Sequence, residues 1–185
     1  MNNQDLRVIK TKKNIIDSFI VLLNEKPFSK ITIQDILDRA LINRATFYRH
    51  YLDKYDLAQQ LNQQLIEQIK QLLDARYHQT SNKINLFETV NQQLNIFAQH
   101  RTLFLALLTI QTEEINLKQD LLTTIEKDYY KTISSQNQSH QALKAKLFAS
   151  IILTVLIDMV ETQQILTLEE IKLLMENLLD DFKQK

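Results

Sequence analysis

Not one of the 185 residues is a glycine, and Pro27 is the lone proline. These two residues interrupt helices most strongly, Gly through chain entropy and Pro through its missing N–H, so long stretches are left free to be helical. The same absence removes whole classes of function. A loop that cradles phosphate with backbone N–H groups, or a dinucleotide fingerprint, needs glycines that this chain lacks. There is no cysteine either, which excludes disulfides, thiolate chemistry and cysteine-ligated zinc. With 44% hydrophobic and 24% charged residues, the chain has enough apolar material for an ordinary soluble core.

Periodicity then divides the chain into nine expected helices with no convincing strand, an all-α fold. Ile15, Ile16, Phe19, Ile20, Leu22 and Leu23 form the apolar stripe of a helix over 8–25, which Pro27 stops. Thr32, with Asp35 three places on, reads as the N-cap of a short helix carrying Ile33, Ile36 and Leu37. After a break at Ala40-Leu41-Ile42, Asn43 caps a third helix, Arg44 to Tyr51. Lys54 opens a long fourth helix with Leu57, Leu61, Leu65, Ile66, Ile69, Leu72 and Leu73 at spacings of three and four. Further helices are expected at about 85–99, opened by Asn85 and Glu88, at 103–110, apolar nearly all round, at 113–134, and at 141–163. The last, 168–183, is opened by Thr167 with Glu170 as a capping box.

Charge is balanced overall but unevenly placed. Residues 1–55 hold ten Lys/Arg against six Asp/Glu, and the remainder twelve against sixteen. A basic head on an acidic body suits a nucleic-acid-binding module joined to a domain with another task. The first thirty residues lack the apolar run of a secretion signal, and Phe148 to Val160, interrupted by Thr154 and Asp158, is too short to span a bilayer. A cytoplasmic location with no membrane partner is the expectation.

Three short N-terminal helices, the second and third joined by about four residues, describe a helix-turn-helix. Phe47 and Tyr51, four apart, can bury one face of the third helix against Ile33, Ile36 and the first helix. Arg44, Ala45, Tyr48 and Arg49 are then left facing outward, where such a helix meets base edges in the major groove. Arg reads guanine bidentately, and Ala45 or Thr46 can touch a thymine methyl. Thr32, Asn43, Tyr48, His50 and Lys54 are donors of the kind that grip phosphates.

The series Ile31-Thr32-Ile33, Asp35-Ile36, Ala40, Ile42-Asn43-Arg44, Thr46-Phe47-Tyr48-Arg49-His50-Tyr51, Lys54 and Asp56-Leu57 closely resembles the DNA-binding domain of TetR-family repressors, over roughly residues 8–60. The resemblance implies a three-helix DNA-binding head, taken as residues 1–53, and a helical body of about six helices, 54–185, that binds an effector and dimerises through its last two helices. Repression relieved by a ligand is the family default, activation or control by a protein partner the alternative. Lys10-Thr11-Lys12 with Asn43-Arg44 and Tyr55-Asp56-Leu57 is similar also to a subgroup that includes a coactivator of dihydroxyacetone kinase genes. One departure stands out. The family usually has Gly where Leu41 stands, in the turn, and a left-handed Leu is strained, so a reshaped turn is expected.

No enzyme, metal site or cofactor is expected. His78, His100 and His140 lack a Glu or Asp three residues before them, and no His-Glu-x-x-His occurs. Asp158 falls on a helix face with Leu147, Ile151, Thr154 and Glu161, and reads as a solvated or interface-rim carboxylate. An effector site is expected among the helices 85–99, 103–110 and 113–134, lined by Phe97, Phe104, Leu108 and Tyr129, with His100, Gln111 or Tyr130 as its polar groups. The expected homodimer interface pairs Phe148, Ile152, Val155, Leu156 and Met159 on one helix with Ile171, Leu174, Met175, Leu178 and Phe182 on the next.

Overall fold

The computed structural model describes residues 3–75, 100–132, 139–164 and 166–181. Among them are eight α-helices and no strand: α1 Asn3–Glu25, α2 Ile33–Ala40, α3 Arg44–Tyr48, α4 Lys54–Ala75, α5 Arg101–Leu108, α6 Leu117–Thr132, α7 Gln141–Thr162 and α8 Leu168–Asp181. The expected helix at 85–99, with Phe97, lies outside the described residues, as do His78 and Phe182. Several bounds move. Helix α1 starts at Asn3 instead of residue 8, α3 closes at Tyr48 instead of Tyr51, and the helices expected at 103–110 and 113–134 run Arg101–Leu108 and Leu117–Thr132. Pro27 does more than stop α1, because it leads into a single 3-10 turn, Phe28–Lys30.

The chain forms two compact units, Met1–Gln71 with Thr102–Asp120, and Leu72–Arg101 with Leu121–Lys185. In the first, Ile15, Phe19, Leu22 and Leu23 of α1 are buried, as are Ile36, Leu37 and Ala40 of α2 and Phe47 of α3. Helix α4 buries Leu57, Ala58, Leu61, Leu65 and Ile69 at helical spacing. Fully burying each large apolar side chain contributes about 1.5–3 kcal/mol, so this set dominates the head's stability. Phe19 meets Phe28 edge to face at 6.1 Å, which fastens the 3-10 turn to α1.

In the second unit, Ala145, Ala149, Leu153, Leu156, Met159 and Val160 form the buried face of α7. The Arg101 guanidinium donates to the carbonyl oxygens of Val160 (2.7 Å) and Glu161 (3.0 Å), closing the end of that helix. Helix α8 is opened by the expected capping box. Thr167 N–H donates to Glu170 Oε2 at 2.7 Å, and Glu170 N–H donates to Thr167 Oγ1 at 3.1 Å. Those bonds hold the Glu170 carboxyl below its usual range.

The turn between α2 and α3 is not reshaped. Leu41 takes the left-handed conformation, φ 54° and ψ 44°, that Gly would take without cost. Its N–H and that of Ile42 both donate to the carbonyl of Leu37, so the backbone bonds of the turn outweigh the strain at Leu41. Its side chain is 91% exposed and packs on little. Leu41→Gly should therefore stabilise the chain by about 0.5–1 kcal/mol. Relief of about 1–2 kcal/mol of left-handed strain is offset in part by ~0.5–1 kcal/mol of extra unfolded-chain entropy. A higher urea midpoint at unchanged slope is the expected reading; a lower one contradicts the strain.

Candidate nucleic-acid interface

Two caps open α2 and α3. Thr32 Oγ1 accepts from the Asp35 N–H at 3.1 Å, while Asp35 Oδ2 accepts from the Thr32 N–H and hydroxyl, both at 2.7 Å. Lys26 adds an ion pair to the same carboxylate at 2.8 Å. The Lys26 bond first, and the Thr32 bonds after it, hold Asp35 well below the usual carboxylate range. Asn43 caps α3 in the same way, its Oδ1 accepting from the Thr46 N–H at 2.8 Å and hydroxyl at 2.9 Å. Three residues expected to touch DNA, Thr32, Asn43 and Thr46, thus also build the helix ends. The cap uses only the carbonyl end of Asn43 and leaves its NH₂ outside this arrangement.

Helix α3 turns Phe47 fully inward, and Tyr51 follows it into the core with its hydroxyl pKa pushed up by burial. Phe47 touches both Tyr48 and Tyr51 with ring centroids 5.7 Å apart. The opposite face carries Arg44, Ala45, Tyr48 and Arg49, all exposed, as the spacing predicts. Thr46 and His50 are half-buried beside it. Burial, with the positive charges of Lys12 and Arg49, pushes the His50 pKa down, so at neutral pH it offers an N–H and no charge. Lys12, on α1, therefore shares the electrostatic surroundings of this ridge. Sequence spacing could not reveal this, since Lys12 is 37 residues from Arg49.

Lys54 has a different role from the expected phosphate contact. Its ammonium donates to the carbonyl oxygens of Phe28 (2.9 Å), Ser29 (3.2 Å) and Ile31 (2.7 Å), which occupies all three of its protons. It also lies 4.7 Å from the Phe28 ring centroid and 5.3 Å from that of Tyr55. Partial burial lowers its pKa. Lys54 ties the 3-10 turn to the start of α4, and Asp53 caps that start by accepting from the N–H groups of Tyr55 and Asp56. A second residue absent from the expected set is Gln34. It lies exposed on α2, where its side-chain oxygen accepts from Arg44 Nη2 at 3.4 Å.

The expected effector residues do not gather in one unit. Phe104, Leu108 and Gln111 lie in the first, and His100, Tyr129 and Tyr130 in the second. Phe104 is fully buried, whereas His100, Gln111 and Tyr130 are exposed. Tyr129 packs on Phe148 at 5.2 Å and on Tyr130 at 6.2 Å. Two buried acceptors on α4, Asn62 Oδ1 and Gln68 Oε1, have no hydrogen-bond partner among the described residues. Periodicity alone could not single them out. Among the described residues no three His, Asp or Glu side chains cluster as metal ligands, and no helix is long and apolar enough to cross a membrane.

Comparison with known proteins agrees with this geometry. Residues 15–61 match the family model for bacterial regulatory proteins of the tetR family. An uncharacterized HTH-type transcriptional regulator, YxbF of Bacillus subtilis (strain 168), is 39% identical over 66 residues. That match takes in 35% of this chain but only 17% of the Bacillus protein's length. The fold is similar to a putative TetR-family transcriptional regulator from Syntrophomonas wolfei str. Goettingen, with a TM-score of 0.60 at 22% identity over 93% of this chain and 92% of that one. A TetR transcriptional regulator from Streptococcus agalactiae 2603V gives 0.58 at 24% identity over 91% and 92%. Residues 15–61 are therefore similar to the helix-turn-helix of the tetR family, on a chain whose fold is similar to those two structures.

The Lys54 tie yields a prediction of its own. Lys54→Met should cost about 1–3 kcal/mol of stability, because the carbonyls of the 3-10 turn lose a charged donor. The salt dependence of DNA binding should keep its slope. A phosphate contact would instead lower that slope by about 0.9, and such a drop without loss of stability would contradict the tie.

Proposed function

We propose that this chain is a sequence-specific transcription regulator that binds double-stranded DNA as a homodimer on a pseudo-palindromic operator, most simply as a repressor released by an effector. The observation that carries this reading is the ridge of Arg44, Ala45, Tyr48 and Arg49, exposed on a helix whose other side is anchored by the fully buried Phe47. In this reading Arg44, first on α3, forks onto a guanine, and Arg49, His50 and Lys12 face phosphates. Lys54 is left out of the phosphate set because its protons are already engaged. Functionally, residues 1–53 read DNA, and 54–185 pair the two copies and receive the signal. An enzymatic role has no support, since the relatives named above are transcriptional regulators.

The homodimer reading rests on α8. From Lys172 to Asp181 every residue of this helix is exposed, including Leu173, Leu174, Met175, Leu178 and Leu179. A 14-residue helix whose described side chains are at most half-buried is marginal in water, so this one needs a partner surface. Helix α7 supplies a second apolar strip, with Leu143 and Leu147 each 54% exposed. These two leucines replace Leu156 and Met159 of the expected interface, which are buried within their own chain. Phe148, Ile152, Val155 and Ile171 are half-buried and flank the strip. The same pair of helices from a second copy would close a four-helix bundle.

A small-molecule effector is favoured over a protein partner by the buried oxygens of Asn62 and Gln68, which have no hydrogen-bond partner among the described residues. Each such acceptor costs about 1–3 kcal/mol, and a ligand bearing N–H or O–H groups would recover that energy. Differential binding to two arrangements of the dimer would shift the spacing of the heads. Activation is the second reading, supported by the likeness to the dihydroxyacetone kinase coactivator subgroup at Lys10-Thr11-Lys12 and Tyr55-Asp56-Leu57.

Two measurements test the proposal. Arg44→Ala should weaken binding to a duplex selected by the wild-type protein from a randomised library by about 1–3 kcal/mol, chiefly at one base pair per half-site. An unchanged sequence preference would remove α3 as the reading helix. Sedimentation at micromolar concentration should show a dimer. Leu174→Glu with Leu178→Glu should raise its dissociation constant at least about 100-fold by burying unpaired charge. A wild-type monomer would refute the interface.

A further inference from the structure

The exposed face of α2 carries a polar chain that ends on the proposed reading residue. Arg44 Nη2 donates to Gln34 Oε1 at 3.4 Å, and Gln34 Nε2 donates to Asp38 Oδ1 at 2.7 Å, one helical turn further along α2. The direction of this chain follows from the chemistry of its ends. A carboxylate only accepts and a guanidinium only donates, so a carboxamide between them satisfies both in one orientation alone. Asp38 therefore sets which end of Gln34 faces Arg44. Without Gln34, the flexible Arg44 side chain would lose its rotamer freedom on forking onto the right base, a cost that non-specific binding, in which the side chain stays mobile, does not carry.

We propose that Gln34, oriented by Asp38, is a positioning residue for sequence readout: it holds the Arg44 guanidinium in the pose from which it forks onto a base edge. This rests on the reading of α3 as the DNA-reading helix. Three features of the arrangement suit that task. Gln34 and Arg44 lie on different helices, each opened by a side-chain cap, Thr32 and Asn43. Both side chains are exposed, so their bond contributes little to folding and remains open to exchange. The Gln34–Arg44 bond is long for a charge-assisted one, so the guanidinium is steered without being captured. An Asp or Glu at position 34 would instead form an ion pair that competes with the base.

The test compares base preference, not affinity alone, in variants whose fold is checked by helicity and urea midpoint. Wild-type protein first selects a consensus from a randomised duplex library. Binding of that duplex, and of the set of its single base-pair changes, is then measured for Gln34→Met, Asp38→Ala, Arg44→Ala and the double variant Gln34→Met/Arg44→Ala. Methionine keeps the length of Gln34 and removes the acceptor. The proposal expects Gln34→Met and Asp38→Ala each to lower discrimination roughly tenfold at the base pair that Arg44→Ala affects, with non-specific binding to the scrambled duplex retained. The double variant should be no worse than Arg44→Ala alone, because a positioning residue has nothing left to position. If Arg44→Ala loses discrimination but Gln34→Met and Asp38→Ala keep it, Gln34 is idle and the proposal fails. Losses that add in the double variant, or fall at a different base pair, mean that Gln34 reads DNA itself, which also overturns it. If Arg44→Ala itself changes no preference, the reading helix is wrong and the proposal falls with it.

Discussion

A helix of five residues cannot sustain itself in water, because the cost of fixing its first turn is never recovered by the few bonds that follow. Helix α3 exists because Phe47 is fully buried and because Asn43 satisfies its first backbone donors. Everything on the outer face of α3 is positioned by that one anchor. Tyr51 extends it by a further turn, although the helix has already ended, and through Tyr51 the anchor continues towards α4. The Leu41 turn serves the same end. A left-handed leucine is accepted because the bonds of the Leu41 and Ile42 N–H groups to the Leu37 carbonyl hold the turn that leads into α3.

The head spends its positive charge in two ways. Lys26 and Arg39 are drawn into ion pairs with Asp35 and Glu25, and Lys54 into a cage of three carbonyls and two rings. These cations fix helix ends and connections. Arg44, Arg49 and Lys12 remain at the outer ridge, where their charge meets solvent or a polyanion. The excess of four positive charges over residues 1–55 therefore does not say where a duplex would feel them. Position, not count, decides whether a lysine attracts phosphate. The Asp38–Gln34–Arg44 chain makes the same point at finer scale, because a negative group on the reading surface orients the positive one and leaves it free.

The apolar surface is divided in a parallel manner. In α7 one face closes the core of its own unit through Ala145, Ala149 and Leu153, while Leu143 and Leu147 look outward. Among the described side chains of α8, Ile171 alone is half-buried and the rest are exposed. In the proposed homodimer the outward strips cover one another, and association and folding become parts of one free-energy balance for this end of the chain.

Much of this was legible in the residues alone. The lack of Gly, the period of the apolar stripes and the Thr32, Asn43 and Thr167 caps determined an all-helical chain, the order of its described helices and the outward face of α3. These are local rules, set by residues three or four apart, and helices obey them almost regardless of context. The sequence could not decide what Lys54 does, because its carbonyl partners lie more than twenty residues away and are brought to it only by the burial of Phe28. Nor could it separate Leu156 and Met159, which face the chain's own core, from Leu143 and Leu147, which do not; all four are apolar residues on one long helix, and only packing selects the side that meets solvent. Gln34 belongs with these. Its place beside Arg44 depends on the angle between two helices, and that angle is a property of the packed core.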